Sequence, residues 1–354
     1  MGKMKIGYVG CGFMAQKVHI PNIMAVEDCE LAAIAEIRPK LGRKVQDRYR
    51  IPRLYPSHME LAKDADVQAV GVSGHFYGQG QIAIDLLKAG KDVFMEKPMA
   101  VSVEQAERIL DAERTSGRRV MVAYMKRYDA GNMTVKNLVD QYRKSGEMGA
   151  LRFVRNHGFC GDWTGGLDTP FDSTDEKYPD VAPQYPAWLP KKHINGYLGY
   201  LQQYTHNVNL VRWFLDAGGD VRIKAVELDG EGGIRGVVVL EVGGVRTVIE
   251  SGAVAYHGWD EHTQLYFDRG WIRTDAPCLL LRNVPATVEV YKGNTDDKVL
   301  SQTFPAGGRE WSYKAEMRAF VECVKTGAPF RSPASDTLHD VRTFEEIYRR
   351  FVGA

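Results

Sequence analysis

From Lys5 to Tyr124, short apolar runs alternate with amphipathic stretches. "KIGYV", "LAAIAE", "VQAVGVS", "KDVFME" and "RRVMVAY" read as strands. Between them, a stretch starting near Gly12, then "KLGRKVQDRYR", "GQIAIDLLKAG" and "SVEQAERILDAERTSG", read as helices. The last has Ser102 as its N-cap, Glu104 and Glu107 early, and Gly117 as its stop. Strands apolar throughout, each followed by a helix, predict a doubly wound parallel sheet covered on both faces. After Tyr124 the period changes. One helix spans roughly Gly131 to Lys144, and alternating strands follow: "ALRFVRNH", "VRIKAVELD", "GVVVLEV", "VRTVIESG", "HTQLYFDRG", "GWIRTDA" and "ATVEVYK". Glycine turns such as "EVGGVR" favour hairpins, so a large, mostly antiparallel sheet with one polar face is expected. The stretch "PFDSTDEKYPDVAPQYPAWLPKK" reads as irregular, and loops of that length are uncommon without a task. "WSYKAEMRAFVECVKTG" and "SDTLHDVRTFEEIYRRF" read as closing helices.

Composition adds bounds. The chain has 354 residues, 44% hydrophobic and 26% charged, which suits two globular domains. A net charge of +1 gives no electrostatic case for nucleic acid or an anionic membrane, although a local basic cluster could still hold a small anion. The five cysteines (Cys11, Cys29, Cys160, Cys278, Cys323) have no zinc or disulfide spacing and read as reduced thiols. No His/Asp/Glu cluster has ligand spacing, so no metal is expected. With no signal-peptide core and no bilayer-length apolar run, the expectation is a soluble cytoplasmic protein.

"GYVGCGFMAQ" places Gly10, Gly12 and Ala15 as G-x-G-x-x-A after a strand and before a helix, with Phe13 and Met14 inside the loop. That is the context of a dinucleotide fingerprint. Gly10 permits the tight turn, Gly12 lets the backbone approach a pyrophosphate, and Ala15 permits close helix packing. The helix N-terminus supplies N–H donors for the phosphates. The second strand ends at Glu36, whose carboxylate suits the adenosine ribose hydroxyls and repels a 2′-phosphate. The reading is NAD rather than NADP. Arg38, two residues on, would soften that preference or stack on adenine. Residues 1–124 are thus a dinucleotide-binding domain. Residues 125–354 read as a second, α/β domain whose last helices can pack back toward the first.

Together with "LLKAGKDVFMEKPMA" and "VAYMKRYDAGN", this loop resembles the glucose-fructose oxidoreductase / inositol dehydrogenase / MocA (Gfo/Idh/MocA) family of sugar and cyclitol dehydrogenases, over nearly the whole chain. The resemblance implies that Lys97 of "EKP" lies between nicotinamide and substrate, with Glu96 at the nicotinamide ribose and Pro98 holding the turn. It puts Ser73, Gly74, His75 and Gln79 along the cofactor, although Gly74-His75 replaces the family's Thr-Pro and Gln79 its histidine. A fixed ammonium at Lys97 would stabilise the alcohol oxygen as hydride leaves.

"HNVNLVRWFL" is similar to the family's histidine helix, which makes His206 the second catalytic residue. Gln202 stands where the family carries an aspartate, and Asn209 replaces another acid. The proton route then lies through Lys97, through Tyr200 or Tyr204, or through His206 alone. Arg127 matches a substrate-contacting arginine of inositol dehydrogenases. Arg155 and His157 share one strand face, and Trp163, Trp188, Lys191, Lys192 and His193 follow. Rings stack on sugar faces and basic groups bind hydroxyls or an anion, so Arg127, Arg155, His157, Trp163, His193, Gln202, Tyr204 and His206 are the expected substrate contacts, with Lys97. The substrate class is a hexose, glycoside or cyclitol, with an acidic sugar as a variant. Three readings compete: an NAD-dependent dehydrogenase acting at a sugar C3, a redox-neutral NAD-dependent glycosidase, and a non-catalytic NAD-binding regulator. The family likeness also implies a homodimer or homotetramer.

Overall fold

The computed structural model describes residues 2–162, 164, 170–229, 232–253, 258–293, 300–304 and 308–354. Its contacts divide the chain into two units. The first comprises Met1–Tyr124, Asp168–Ala187 and Tyr313–Val341, and the second Met125–Leu167, Trp188–Ser312 and Arg342–Ala354. The first unit contains the stretch expected from sequence, which ends at Tyr124. It also takes in the irregular segment after residue 168 and much of the closing helices.

The first unit follows the order β1 (Met4–Val9), α1 (Ile20–Ala25), β2 (Cys29–Ala35), α2 (Pro39–Tyr49), β3 (Arg53–Tyr55), α3 (His58–Ala62), β4 (Ala69–Val72), α4 (Gln79–Lys88), β5 (Asp92–Glu96), α5 (Val103–Ser116) and β6 (Val120–Ala123). The six strands pair in parallel in the order β3-β2-β1-β4-β5-β6. Ile6, Val70, Val72, Val93 and Met95 are fully buried because helices cover both faces of the sheet. Ser102 caps α5 by accepting the Gln105 N–H at 3.1 Å, and Gly117 ends it in the left-handed region. Strand order reverses between β1 and β4, and in such sheets ligands bind there, at the carboxyl ends of the strands. β3 and α3 escape sequence reading because three and five residues carry no usable period.

The second unit opens with α6 (Ala130–Ser145) and β7 (Leu151–Cys160), followed by α7 (Ile194–Leu215). Then come β8 (Val221–Leu228), β9 (Gly236–Val242), β10 (Val245–Ala253), β11 (Trp259–Phe267), β12 (Gly270–Asp275), β13 (Thr287–Lys292) and β14 (Leu300–Phe304). The sheet order is β14-β13-β12-β11-β7-β10-β9-β8, antiparallel except for the central β7–β10 pair. α7 lies on β7, β9 and β10, and α6 on β12 and β13. Two helices close the chain, α8 (Ser312–Thr326) and α9 (Ala334–Val352). In the first unit Phe320 of α8 packs on Phe94 at 5.5 Å, and Leu338 and Val341 of α9 join the core. In the second, Phe344 and Tyr348 of α9 pack on Tyr200. Among the described residues no helix is long and apolar enough to cross a membrane.

Candidate active site

At the end of β1 the chain turns through Gly10, whose φ of 95° places it in the left-handed region. A Cβ there would lie 2.7 Å from the Ser73 carbonyl oxygen, so the end of β4 passes close by. At Gly12 a Cβ would meet nothing within 4 Å. That open space above a backbone turn fits the phosphates of a dinucleotide, with the N–H groups of the glycine loop to hold them. Phe13 and Met14 are half-buried, and Ala15 is buried at the start of a π-helical turn, Ala15–His19, that leads into α1. Such turns recur at functional sites. Glu36, buried one residue past β2, accepts the Cys11 N–H on Oε2 (2.7 Å). Arg38 gives it three more bonds: its N–H (3.1 Å) and Nε (2.7 Å) to Oε1, and Nη2 (3.1 Å) to Oε2. All four acceptor positions of the carboxylate are used, so a ribose hydroxyl would have to take the place of an Arg38 contact.

The lysine turn leaves β5 beside a braced carboxylate. Glu96 Oε1 lies 2.7 Å from His19 Nε2, and its Oε2 accepts the Lys97 N–H at 3.1 Å. His19 is buried among Tyr8, Phe94 and Tyr313. Burial pushes the Glu96 carboxyl up, but the hydrogen bond to His19 and the charges of His19 and Lys97 outweigh it and hold the group below the usual carboxylate range. Gln79 is 0% exposed, and its Nε2 donates to the carbonyls of Glu96 and Pro98, each at 2.7 Å. Its NH2 group therefore braces the turn from behind, while its buried Oε1 meets no hydrogen-bond donor among the described residues. The Lys97–Pro98 peptide bond is cis and Lys97 is half-buried. Ser73 and Gly74 are half-buried past β4. His75 packs on Tyr77 and Tyr178 (ring centroids 3.7 and 6.1 Å), and burial lowers its pKa.

Segment 170–184 runs over the same strand ends. Asp172 donates its N–H to Gln16 Oε1 (2.7 Å) and accepts Gln16 Nε2 on its carbonyl (2.9 Å); the same Nε2 donates to the Cys11 carbonyl (2.8 Å). Phe171 sits edge-on to Phe13 at 5.4 Å, under Lys17. α2 has no side-chain cap of its own; Glu176 accepts the N–H groups of Lys40 (3.0 Å) and Leu41 (2.9 Å) instead. Tyr178 lies beneath the Arg38 guanidinium at 5.1 Å, and Gln184 accepts Gln105 Nε2 at 2.7 Å.

In the second unit α7 carries Gln202, exposed, and one turn later His206, 6% exposed. Asn207 Nδ2 donates to Asn156 Oδ1 (2.7 Å) and to Glu261 Oε1 (3.3 Å). Glu261 also pairs with Lys126 and accepts Trp259 Nε1, and Asn156 Nδ2 donates to Thr263. Sequence reading missed this buried network, whose members lie up to 137 residues apart in sequence.

Several expected substrate contacts are engaged elsewhere. Tyr204 donates its hydroxyl to the Gly252 carbonyl (2.8 Å), and burial pushes its phenol, like that of Tyr200, well above the usual value. Arg127 is buried and donates Nε to Asn209 Oδ1 at 2.7 Å, joining its turn to α7. Arg155 and His157 both bond Glu250, on the sheet face opposite the one that carries Asn156 toward α7. Strand alternation sends them there: the even-numbered residues of β7 face the helix. His193 is buried at the start of α7 against Phe351. Trp188 donates Nε1 to Glu345 and lies under Arg349. Lys191 and Lys192 are exposed, and Trp163 lies outside the described residues.

A family model described as an oxidoreductase family with an NAD-binding Rossmann fold (GFO_IDH_MocA) matches residues 4–124. The inositol 2-dehydrogenase of Salmonella typhimurium (strain LT2) is 32% identical over 158 residues, 44% of this chain and 45% of that protein. The match thus spans less than half the length of that relative. The inositol 2-dehydrogenase of Burkholderia cenocepacia (strain HI2424) is 27% identical over 336 residues, 92% of this chain and 87% of that one. Among solved structures, an aldose-aldose oxidoreductase from Caulobacter crescentus, complexed with glycerol, superposes with a TM-score of 0.76 at 20% identity, covering 99% of this chain and 98% of that one.

Proposed function

The chain belongs to the Gfo/Idh/MocA family of oxidoreductases, and from that premise we propose that it transfers a hydride between NAD and a secondary alcohol carbon of a sugar, glycoside or cyclitol, with C3 of a sugar ring as the preferred position. The observation that carries this reading is the lysine turn. A half-buried ammonium at the carboxyl end of β5, with its backbone held by Glu96 and its turn braced by Gln79, is a prepared site for an oxygen that gains negative charge. Nicotinamide, when bound, takes or returns the hydride. Gly10, Gly12 and the following N–H groups would hold the pyrophosphate, and Glu36 the adenosine ribose. Glu36 also repels a 2′-phosphate, which supports NAD over NADP. Lys97 steadies the alcohol oxygen, and the His206 imidazole accepts its proton and returns it in the reverse direction. The amide of Gln202 cannot hold a proton, so His206 works without a carboxylate at that position.

The test is purified protein with NAD and a panel of ring polyols, sugars, uronates and aryl glycosides, following NADH absorbance and released aglycone together. NADH growth on one class, abolished in Lys97→Ala, supports the dehydrogenase. Growth on none, with no other product, overturns it. A second reading, redox-neutral glycoside cleavage, is favoured by segment 170–184 over the strand ends. There the C3 hydroxyl is oxidised, C2 loses a proton, the C1 substituent leaves, water adds, and the hydride returns to C3. Its signature is aglycone release without NADH growth.

A further inference from the structure

We propose that segment 170–184 is a working part of the nucleotide site, closing over the glycine loop and the adenosine end through Phe171, Glu176 and Tyr178, so that the nucleotide exchanges slowly. This rests on the nucleotide-binding reading above. The segment has no helix or strand between residues 170 and 184, yet it is held in order. Fixing irregular backbone costs conformational entropy at every residue, so its contacts have to offset that.

Those contacts concentrate on the elements a dinucleotide would touch. Gln16 ties Asp172 to the Cys11 carbonyl inside the glycine loop, and Phe171 covers Phe13 of that loop. Arg48 pairs with Asp172 and Lys40 with Asp175, which fastens the same stretch along α2. Glu176 caps α2, the helix that begins just past Glu36 and Arg38. Tyr178 then stands between Arg38 and His75, that is, between the turns after β2 and β4.

The chemistry at Tyr178 points to a purine. A phenol ring under a guanidinium and beside an imidazole is a stack of flat π and cationic faces, which a heteroaromatic base joins at little cost in order. Tyr178 remains 39% exposed, so part of its surface is still open to such a partner. The base, ribose and pyrophosphate would then be flanked on one side by β1, β2 and β4 and on the other by this segment. Release of the nucleotide requires the segment to lift, and the release rate falls accordingly.

The experiment follows the release of NADH from the full-length protein by its fluorescence, with excess NAD as the chase. Tyr178→Ala, Phe171→Ala and Glu176→Gln are compared with the parent. Each variant is expected to release NADH about tenfold faster or more. Amide hydrogen exchange across 170–184 is expected to slow when NADH binds the parent. Tight NADH binding with unchanged release in all three variants, or with exchange in the segment unaffected, would overturn the proposal while leaving the nucleotide reading intact. A parent that binds no NADH overturns both.

Discussion

The two units place their polar residues by different rules. In the first, each candidate residue stands at the carboxyl end of a strand: Gly10 just past β1, Glu36 past β2, Ser73 past β4, and Glu96 as the last residue of β5. Parallel topology collects such positions at one edge whatever the side-chain packing. In the second, Asn156, Asn207, Glu261 and Thr263 come from β7, α7 and β11 and meet only because one sheet face is covered by a helix. Topology assembles the first set; packing assembles the second.

That contrast breaks most sharply at Lys97. Lys97→Ala should lower kcat about 10³-fold with NADH affinity retained, while Arg155→Ala, on the other sheet face, should leave kcat within about twofold in steady-state assays. An equal loss from both would place the chemistry on packing rather than on strand ends. Lys126→Met should cost about 3–5 kcal/mol in urea unfolding, since Glu261 would keep a buried, unbalanced charge. A loss under about 1 kcal/mol would show that the network is no scaffold.

The pH dependence of stability gives a third, smaller effect. Burial pushes the Glu113 carboxyl from 4.5 up to about 7, against the opposing pull of the Val120 N–H and Arg119. A raised carboxyl favours the folded state most below its unfolded value. Its contribution is therefore complete below about pH 4.5 and is lost as pH rises through about 7. The parent should lose on the order of 2 kcal/mol across that range relative to Glu113→Gln, by urea midpoints at a series of pH values. Smallest is Gly12→Ala. With no neighbour within 4 Å of the added carbon, stability should hold within about 0.5 kcal/mol while NADH affinity drops about tenfold. Gly10→Ala should instead lose stability, because of its φ and the Ser73 carbonyl.

The same contrast explains what could be read beforehand. The fold class and the strand-end residues were legible because a local pattern, apolar run then turn, marks both. Alternation along "LRFVRNH" marks two faces of β7 but not which one a helix covers, so Arg155 and His157 drew attention and Asn156 did not. Tyr204 is a phenol at a suggestive spacing, and nothing in one dimension shows that its hydroxyl goes to Gly252. The partners of 170–184, 79 to 156 residues upstream in the hydrogen bonds to Gln105 and Gln16, have no sequence signal beyond the segment's own length.

The make-up of the first unit from three separate stretches also sets a clock on its synthesis. β6 is flanked by residues near the far end of the chain: the Val122 N–H bonds the Ser332 carbonyl at 2.9 Å, Ser332 Oγ returns a bond to Val122 at 2.6 Å, and Met121 bridges Pro333. Those partners follow 210 residues later. At about 5–20 residues per second the ribosome leaves that strand edge uncovered for roughly 10 to 40 seconds after β6 has emerged. An open strand edge is a template for pairing with another chain. The interval in which this protein most needs shielding therefore falls while its second unit is being translated.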